Sequence, residues 1–158
     1  MKFQVGNGID NYISKLQNLE MTAPDAIGEA VYEGANIVAD AVKRNLEALL
    51  VDDTPYPEKV TAPRKVQKSG LITSFGIAKI RNDSGYFNVK LGFDGYNKLK
   101  TKKYPSGQPN AMVARTFEAG NSFTKKTPFV APAVRATKEQ AERKMAQVID
   151  RETAKVMN

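Results

Sequence analysis

The sequence lacks the side chains on which several large classes of enzyme depend. Among its 158 residues there is no cysteine, no histidine and no tryptophan. Without cysteine the chain has no disulfide and no thiol nucleophile, a pattern that fits a reducing compartment. Without histidine it has neither the commonest general base nor the usual zinc ligand, so a Ser-His-Asp triad is impossible.

Other familiar signals are missing as well. No apolar run approaches the length of a membrane span, and residues 1–6 contain no apolar segment of the kind that a signal peptide requires. There is no Walker-type phosphate loop and no dinucleotide-binding glycine pattern. The one adjacent carboxylate pair, Asp52 and Asp53, has the sequence context of a solvated turn. We therefore expect no membrane segment, no metal or cofactor, and no catalytic residues.

The chain has the length for one hydrophobic core and an excess of positive charge. At 158 residues it fits a single domain over residues 1–158, because two separate cores would both be small. The formal net charge is +7. This excess is compatible with contact to nucleic acid or to an acidic protein surface, and it does not choose between them.

Helical periodicity predicts three amphipathic helices. The first covers residues 9–20, and the second begins where Thr22 can cap and Pro24 fits a first turn, then runs to about residue 50. The apolar face of this second helix contains several alanines and glycines, whose small side chains let another element approach closely. Packing within the chain is the favoured explanation, ahead of an interface between subunits. The third helix is predicted to start near Thr137, where a capping box begins.

Strand patterns occupy the middle of the chain. Residues 76–81 and 86–93 flank a turn at residues 82–85, so they predict an antiparallel hairpin with one buried face. A short edge strand is predicted over residues 2–5, before a turn at residues 6–8.

Two polar segments, residues 52–70 and 94–110, are predicted to protrude as loops because they combine prolines, glycines and charge. The neighbouring residues 69–75 and 111–118 fit either a helical turn or a short strand. Lysines bind phosphate as flexible point charges and tyrosines stack on bases, although plain solvation or contact with a neighbouring subunit is the commoner role. The candidate subunit-contact or DNA-facing residues are Arg64, Lys65, Lys68, Lys98, Lys100, Lys102, Lys103 and Tyr104.

A junction with two prolines precedes the last helix. Pro128 and Pro132 disfavour helical geometry in the residues before them, so the chain is expected to stay extended through Phe129. An apolar residue in such a segment is best explained by docking. We therefore predict that Phe129 is buried in a core built by earlier residues.

The order of these pieces resembles that of the small neck and tail-completion proteins of long-tailed bacteriophages. The likeness runs through most of the chain and rests on an ordered set of short motifs: Glu-Gly-Ala at 33–35, Ser-Gly-Leu at 69–71, Phe-Glu-Ala-Gly at 117–120, Pro-Phe at 128–129 and Pro-Ala at 132–133. Two features depart from the family, since Asn121 replaces the usual threonine after Gly120 and the loop at 94–110 is long. The residues that the resemblance marks as structural are Gly34, Gly70, Glu118, Gly120, Pro128, Phe129 and Pro132.

The resemblance implies an α+β fold, in which a small antiparallel β-sheet packs with a long helix from the N-terminal half and a long C-terminal helix, with extended loops. It implies a structural, non-enzymatic protein, made in the bacterial host cytoplasm and incorporated into the virion at the head–tail junction. The implied partners are other copies in a ring of about six, the head-closure or connector protein, and the tail-terminator or tail-tube protein. Non-specific contact with genomic DNA in the channel is also implied. A tail terminator that caps the tail tube, a free non-specific DNA-binding module and a generic scaffold remain alternatives. An enzyme that uses the carboxylates of Asp52 and Asp53 is a further alternative.

Overall fold

Helices and short strands are combined in one chain. The computed structural model describes residues 7–157, and these form an α+β fold, which confirms the predicted fold class. The strand predicted over residues 2–5 lies outside the described residues. In chain order the elements are α1 (Asn7–Ala48), α2 (Lys65–Ser74), β1 (Phe75–Ile77), β2 (Arg81–Asp83), β3 (Tyr86–Asn88), β4 (Leu91–Phe93), α3 (Asn110–Ala119) and α4 (Val130–Met157).

The two longest helices, α1 and α4, form an antiparallel pair. Near the end of α1, the Asn45 side chain donates a hydrogen bond to the carbonyl of Phe129, just before α4 begins (3.0 Å). Towards the other end, the Lys15 ammonium donates to the carbonyl of Met157, the last residue of α4 (2.9 Å). Helix α1 has 42 residues and is therefore about 60 Å long. The pair forms a long arm, and α2, β1 and β3 contact α1.

The prediction of two separate helices before residue 50 is wrong, because α1 is continuous through Pro24. Thr22 does not cap a new helix; its hydroxyl donates to the carbonyl of Asn18 within the same helix (2.9 Å). The turn predicted at residues 6–8 is also wrong where it is described, since α1 already includes residues 7 and 8. An interior proline costs a helix about 3 kcal/mol. Packing of the apolar face against other elements, with Ala30 fully buried, outweighs that cost.

The last helix also begins earlier than predicted. It starts at Val130 with Pro132 in its first turn, where a missing N–H does no harm. Thr137 lies inside the helix and is buried, and its hydroxyl donates to the carbonyl of Ala133 (2.7 Å). The capping-box pattern at Thr137 is therefore not the start signal. The start is set by Glu118, as described below.

The predicted loop over residues 52–70 is too long, because helix α2 begins at Lys65. The first N–H groups of α2 have partners that no local pattern in the sequence reveals. Asp53 accepts from the backbone N–H of Lys65 (3.1 Å), and Gln67 accepts from that of Arg64 (2.9 Å). Leu71 on α2 is fully buried, so packing stabilises this short helix. The ambiguous segment at 111–118 is likewise helical, as part of α3.

The strands form two small antiparallel pairs. Strand β1 pairs with β4, and β2 pairs with β3 across a turn at Ser84 and Gly85. The predicted hairpin is confirmed, but each of its arms is split into two short strands at residues 78–80 and 89–90. The predicted buried face does not extend over β2, which is exposed along its whole length. One hydrogen bond, from the N–H of Ala78 to the carbonyl of Lys90 (2.8 Å), continues the ladder beside this break.

The core lies where β1 and β4 meet the helices, and Phe129 is at its centre. Phe129 is 1% exposed, which confirms the burial predicted from the two flanking prolines. Its ring meets that of Phe93 edge-on with centroids 5.9 Å apart, and Phe93 in turn contacts Phe75 at 5.2 Å. The helices contribute Val42, Leu46, Leu71, Val113 and Phe117 to the same cluster.

Candidate interaction surface

Glu118, at the end of α3, determines where α4 starts. Its carboxylate accepts hydrogen bonds from the backbone N–H groups of Phe129 (2.9 Å), Val130 (3.0 Å) and Ala131 (2.8 Å). These are the groups that the first turn of a helix leaves without partners, and a negative charge there also suits the helix dipole. Glu118 therefore caps a helix that begins more than ten residues further along the chain.

The glycines of the motif set lie at close approaches between elements. A Cβ on Gly34 would lie 2.8 Å from Cγ of Met145, so the absence of a side chain lets α1 and α4 pack closely. A Cβ on Gly70 would lie 2.5 Å from the side-chain oxygen of Asn110. Gly120 has φ of +69° and would meet the backbone of Lys126 at 2.8 Å. Together with Glu118, these residues join elements inside the molecule.

Residues 94–109, here called the lysine loop, are held from inside by Asn97. This side chain is 4% exposed, and its oxygen accepts from the N–H groups of Leu99 (2.9 Å) and Gln108 (3.3 Å). Gly107 has φ of +108°, and a Cβ there would overlap the backbone oxygen of Asn97. Thr101 and Tyr104 exchange backbone hydrogen bonds of 3.0 and 3.1 Å near the tip of the loop. Hydrogen bonds within the loop therefore hold its two arms together.

The lysines of this loop all face solvent. Lys98, Lys100, Lys102 and Lys103 are exposed, and among the described residues no carboxylate lies within 4 Å of any of them. The Lys103 ammonium lies 5.6 Å from the centre of the half-buried Tyr104 ring, a cation–π arrangement. The structure thus places five of the candidate residues together on one loop.

The other basic candidates are arranged differently. Lys68 donates to the carbonyls of Glu47 (2.7 Å) and Leu49 (2.8 Å), so it satisfies the end of α1. Arg64 reaches the carbonyl of Thr54 at 3.4 Å, and Lys65 is exposed. Whether these residues contact a partner stays a prediction, but Lys68 has a structural contact that its place in a basic run did not reveal.

A groove between residues 52–64 and the lysine loop has no counterpart among the sequence predictions. It encloses about 560 Å³ over α3, and its apolar lining includes Leu99, Met112 and Phe123. Tyr56 stands at its rim, 98% exposed and with φ of +51°, a conformation that non-glycine residues rarely adopt. In the sequence, Tyr56 is visible only as a tyrosine between two prolines. That pattern reveals neither its positive φ nor the groove beside it.

The two adjacent carboxylates, Asp52 and Asp53, make separate local contacts. Asp52 accepts from both the N–H and the hydroxyl of Thr54 and from the hydroxyl of Thr61 (3.3 Å). These bonds, with the Thr54 hydroxyl the largest contributor, lower the pKa of Asp52 below its usual value. Asp53 caps α2 instead of facing Asp52 across a substrate site.

Metal ligation and membrane insertion find no support within residues 7–157. In that part of the chain, no three acidic side chains converge in a way that would hold a metal ion. None of the helices that the structure describes combines the length and apolar character needed to cross a membrane.

Comparison with protein-family models, with characterised proteins and with solved structures finds no match for the chain.

Proposed function

We propose that the chain is a non-catalytic structural subunit of a tailed bacteriophage, which forms a ring at the head–tail junction and joins the connector to the tail tube around the DNA channel. The observation that carries the proposal is the ordered lysine loop, whose four lysines have no carboxylate partner among the described residues. A buried asparagine and a glycine with positive φ hold this loop in one conformation. Because ordering a loop costs conformational entropy, an ordered loop with unsatisfied charges is well suited to contact with another molecule.

The motif order gives independent support. Gly34, Gly70, Glu118 and Phe129, which carry the resemblance to neck and tail-completion proteins, all make close contacts between elements. Proteins that share a fold need suitable residues where their helices and strands meet. The placement of these four residues therefore supports an architecture shared with neck and tail-completion proteins, and through it a shared role.

In this role the chain acts through its shape and its contacts. Its partners are other copies in a ring of about six, the head-closure or connector protein on one side, and the tail-terminator or tail-tube protein on the other. Basic side chains that face the channel would contact the phosphates of the genome without reading its sequence. The protein would be made in the host cytoplasm and end up in the virion.

Electron microscopy of particles made without the protein tests this role. A stop codon early in the gene should give filled heads and finished tails that are not joined, and supply of the intact chain from a plasmid should restore infectious particles. Overlong tails in place of unjoined parts would indicate the alternative role of a tail terminator, which ends tube growth. Normal infectious particles would contradict both.

A free DNA-binding module is the second candidate, favoured by the net charge of +7 and by the four exposed lysines. Phosphate contacts release counterions, so binding to duplex DNA through these lysines should weaken steeply as salt increases. Affinity that changes little between low and moderate salt would argue against this candidate.

A further inference from the structure

Charge is distributed unevenly along the chain. Helix α1 (Asn7–Ala48) contains seven acidic and three basic residues, a net charge of −4. Residues 49–129, which include the lysine loop, contain six acidic and fourteen basic residues, a net charge of +8. Each copy of the protein therefore presents an acidic helix and a basic loop.

Four acidic residues of α1 lie along one face of the helix. Asp25, Glu29, Glu33 and Asp40 are spaced by four, four and seven residues, so they share a face over about 22 Å. Gly34, the residue after Glu33, packs against α4, so this face borders the contact between the two helices. We call this set of four carboxylates the outer face of α1.

Half of the outer face is already neutralised within the molecule. Glu29 pairs with Arg151 at 2.7 Å, and Glu33 pairs with Lys144 at 3.2 Å. Asp25 and Asp40 are exposed, and no basic group of the described residues lies within 4 Å of either. Two carboxylates therefore remain available to a partner, and the exposed Lys43 lies three residues beyond Asp40 on the same face.

We propose that the lysine loop of one copy docks on the outer face of α1 in a second copy. The proposal rests on the proposed ring and names its subunit contact. Opposite charges on two different surfaces of one chain make a head-to-tail interface, which is the kind that closes into a ring. Complementary charge also steers the approach of two copies and fixes their register.

A second copy is favoured over DNA as the main partner of this loop. DNA binding would be favoured by a longer row of free positive charges, but Lys68 and Arg64 do not extend the row of loop lysines. Both already donate hydrogen bonds to backbone carbonyls. The outer face of α1 is present in every copy, at the same concentration as the loop.

A charge-swap experiment with the full chain tests the docking. The first variant combines Lys98→Glu, Lys100→Glu, Lys102→Glu and Lys103→Glu, and the second combines Asp25→Lys and Asp40→Lys. Sedimentation at about 0.05 M salt measures the dissociation constant for self-association. We expect each variant alone to raise it, the loop variant at least about tenfold, and a chain that carries both sets to recover most of the loss. Raising the salt to about 0.5 M should weaken association of the unmodified chain.

A matched control carries the same change of net charge elsewhere. It combines Lys59→Glu, Lys79→Glu, Arg115→Glu and Lys138→Glu, four exposed residues outside the loop. It should affect association much less than the loop variant does. Thermal unfolding serves as the folding check, because neither swapped set has an ion-pair partner among the described residues.

Several results would overturn the docking. The first is a control variant that weakens association as much as the loop variant does, and the second is a chain with both sets of substitutions that recovers no association. The third is an unmodified chain that stays monomeric at low salt. The fourth is a loop variant that loses DNA binding while its self-association is unchanged. The particle test of the proposed function is independent. Unjoined heads and tails without loop-dependent association would leave the proposed function standing and refute only this contact.

Discussion

At the scale of single residues, Glu118 and Phe129 show what a sequence can and cannot reveal. The burial of Phe129 could be predicted because the two prolines beside it keep this segment out of a long helix or a central strand, and an apolar side chain there must dock elsewhere. The role of Glu118 could not, because its three N–H partners lie eleven to thirteen residues away and meet it only in the folded chain. A local capping pattern at Thr137 instead suggested the wrong start for α4.

Replacing Glu118 by alanine should therefore destabilise the fold. Three N–H groups at the start of α4 would lose a charged acceptor, and we expect a loss of about 1–3 kcal/mol in the free energy of unfolding. Glu118→Gln keeps one acceptor oxygen and should lose less. Denaturant unfolding measures the effect, with the exposed Glu139→Ala as a control that changes stability by less than about 0.5 kcal/mol. Equal losses at the two positions would refute the capping role.

Phe129→Ala should cost about 3–5 kcal/mol in the free energy of unfolding, because it removes a buried ring that contacts Phe93. Denaturant unfolding measures this loss, and Phe123→Ala is the matched control. Phe123 is 50% exposed, so it should lose far less. A loss well under about 1 kcal/mol at Phe129 would mean that the ring is not part of the core.

At the scale of elements, the sequence predicted the existence of helices better than their ends. Periodicity identified both α1 and α4, and the strand alternation identified the hairpin. Pro24 suggested a helix boundary that does not exist. Packing of a long apolar face against α4 outweighs the one backbone hydrogen bond that the proline removes. Helix α2 was missed because its caps, Asp53 and Gln67, act on a short segment that has the composition of a charged loop.

Substitution by alanine at two glycines of α1 should change the stability of the protein in opposite directions. At Gly28 a Cβ would meet only ordinary contacts, 3.8 Å from Ile80 and Phe87, so Gly28→Ala should stabilise by up to about 1 kcal/mol through helix propensity. At Gly34 the Cβ would press on Met145, so Gly34→Ala should destabilise by about 1–3 kcal/mol.

Shortening the opposing side chain separates the clash at Gly34 from helix propensity. In a Met145→Ala background, Gly34→Ala should lose most of its penalty, because the obstructing atoms are gone. Thermal unfolding of the four combinations at these two positions measures the coupling. An unchanged penalty in that background would show that close packing of α1 on α4 is not the reason for the glycine.

At the scale of the whole molecule, the fold class could be predicted because it follows from the number and type of periodic segments. The groove beside Tyr56 and the separation of acidic and basic surfaces could not. Both depend on which loops meet in space, and α1 contributes its charge to the surface only through the face that it leaves uncovered. The proposed ring uses these surface features, so its subunit contact is inferred from the structure and its position in the particle from the motif order.

The most direct test of the ring counts the copies of this chain in purified virions by quantitative mass spectrometry, with the tail-tube protein as an internal standard. We expect a small fixed number, about six per particle, as a closed ring requires. Virions that contain none of the chain, or a number that varies with tail length, would contradict a ring at the head–tail junction.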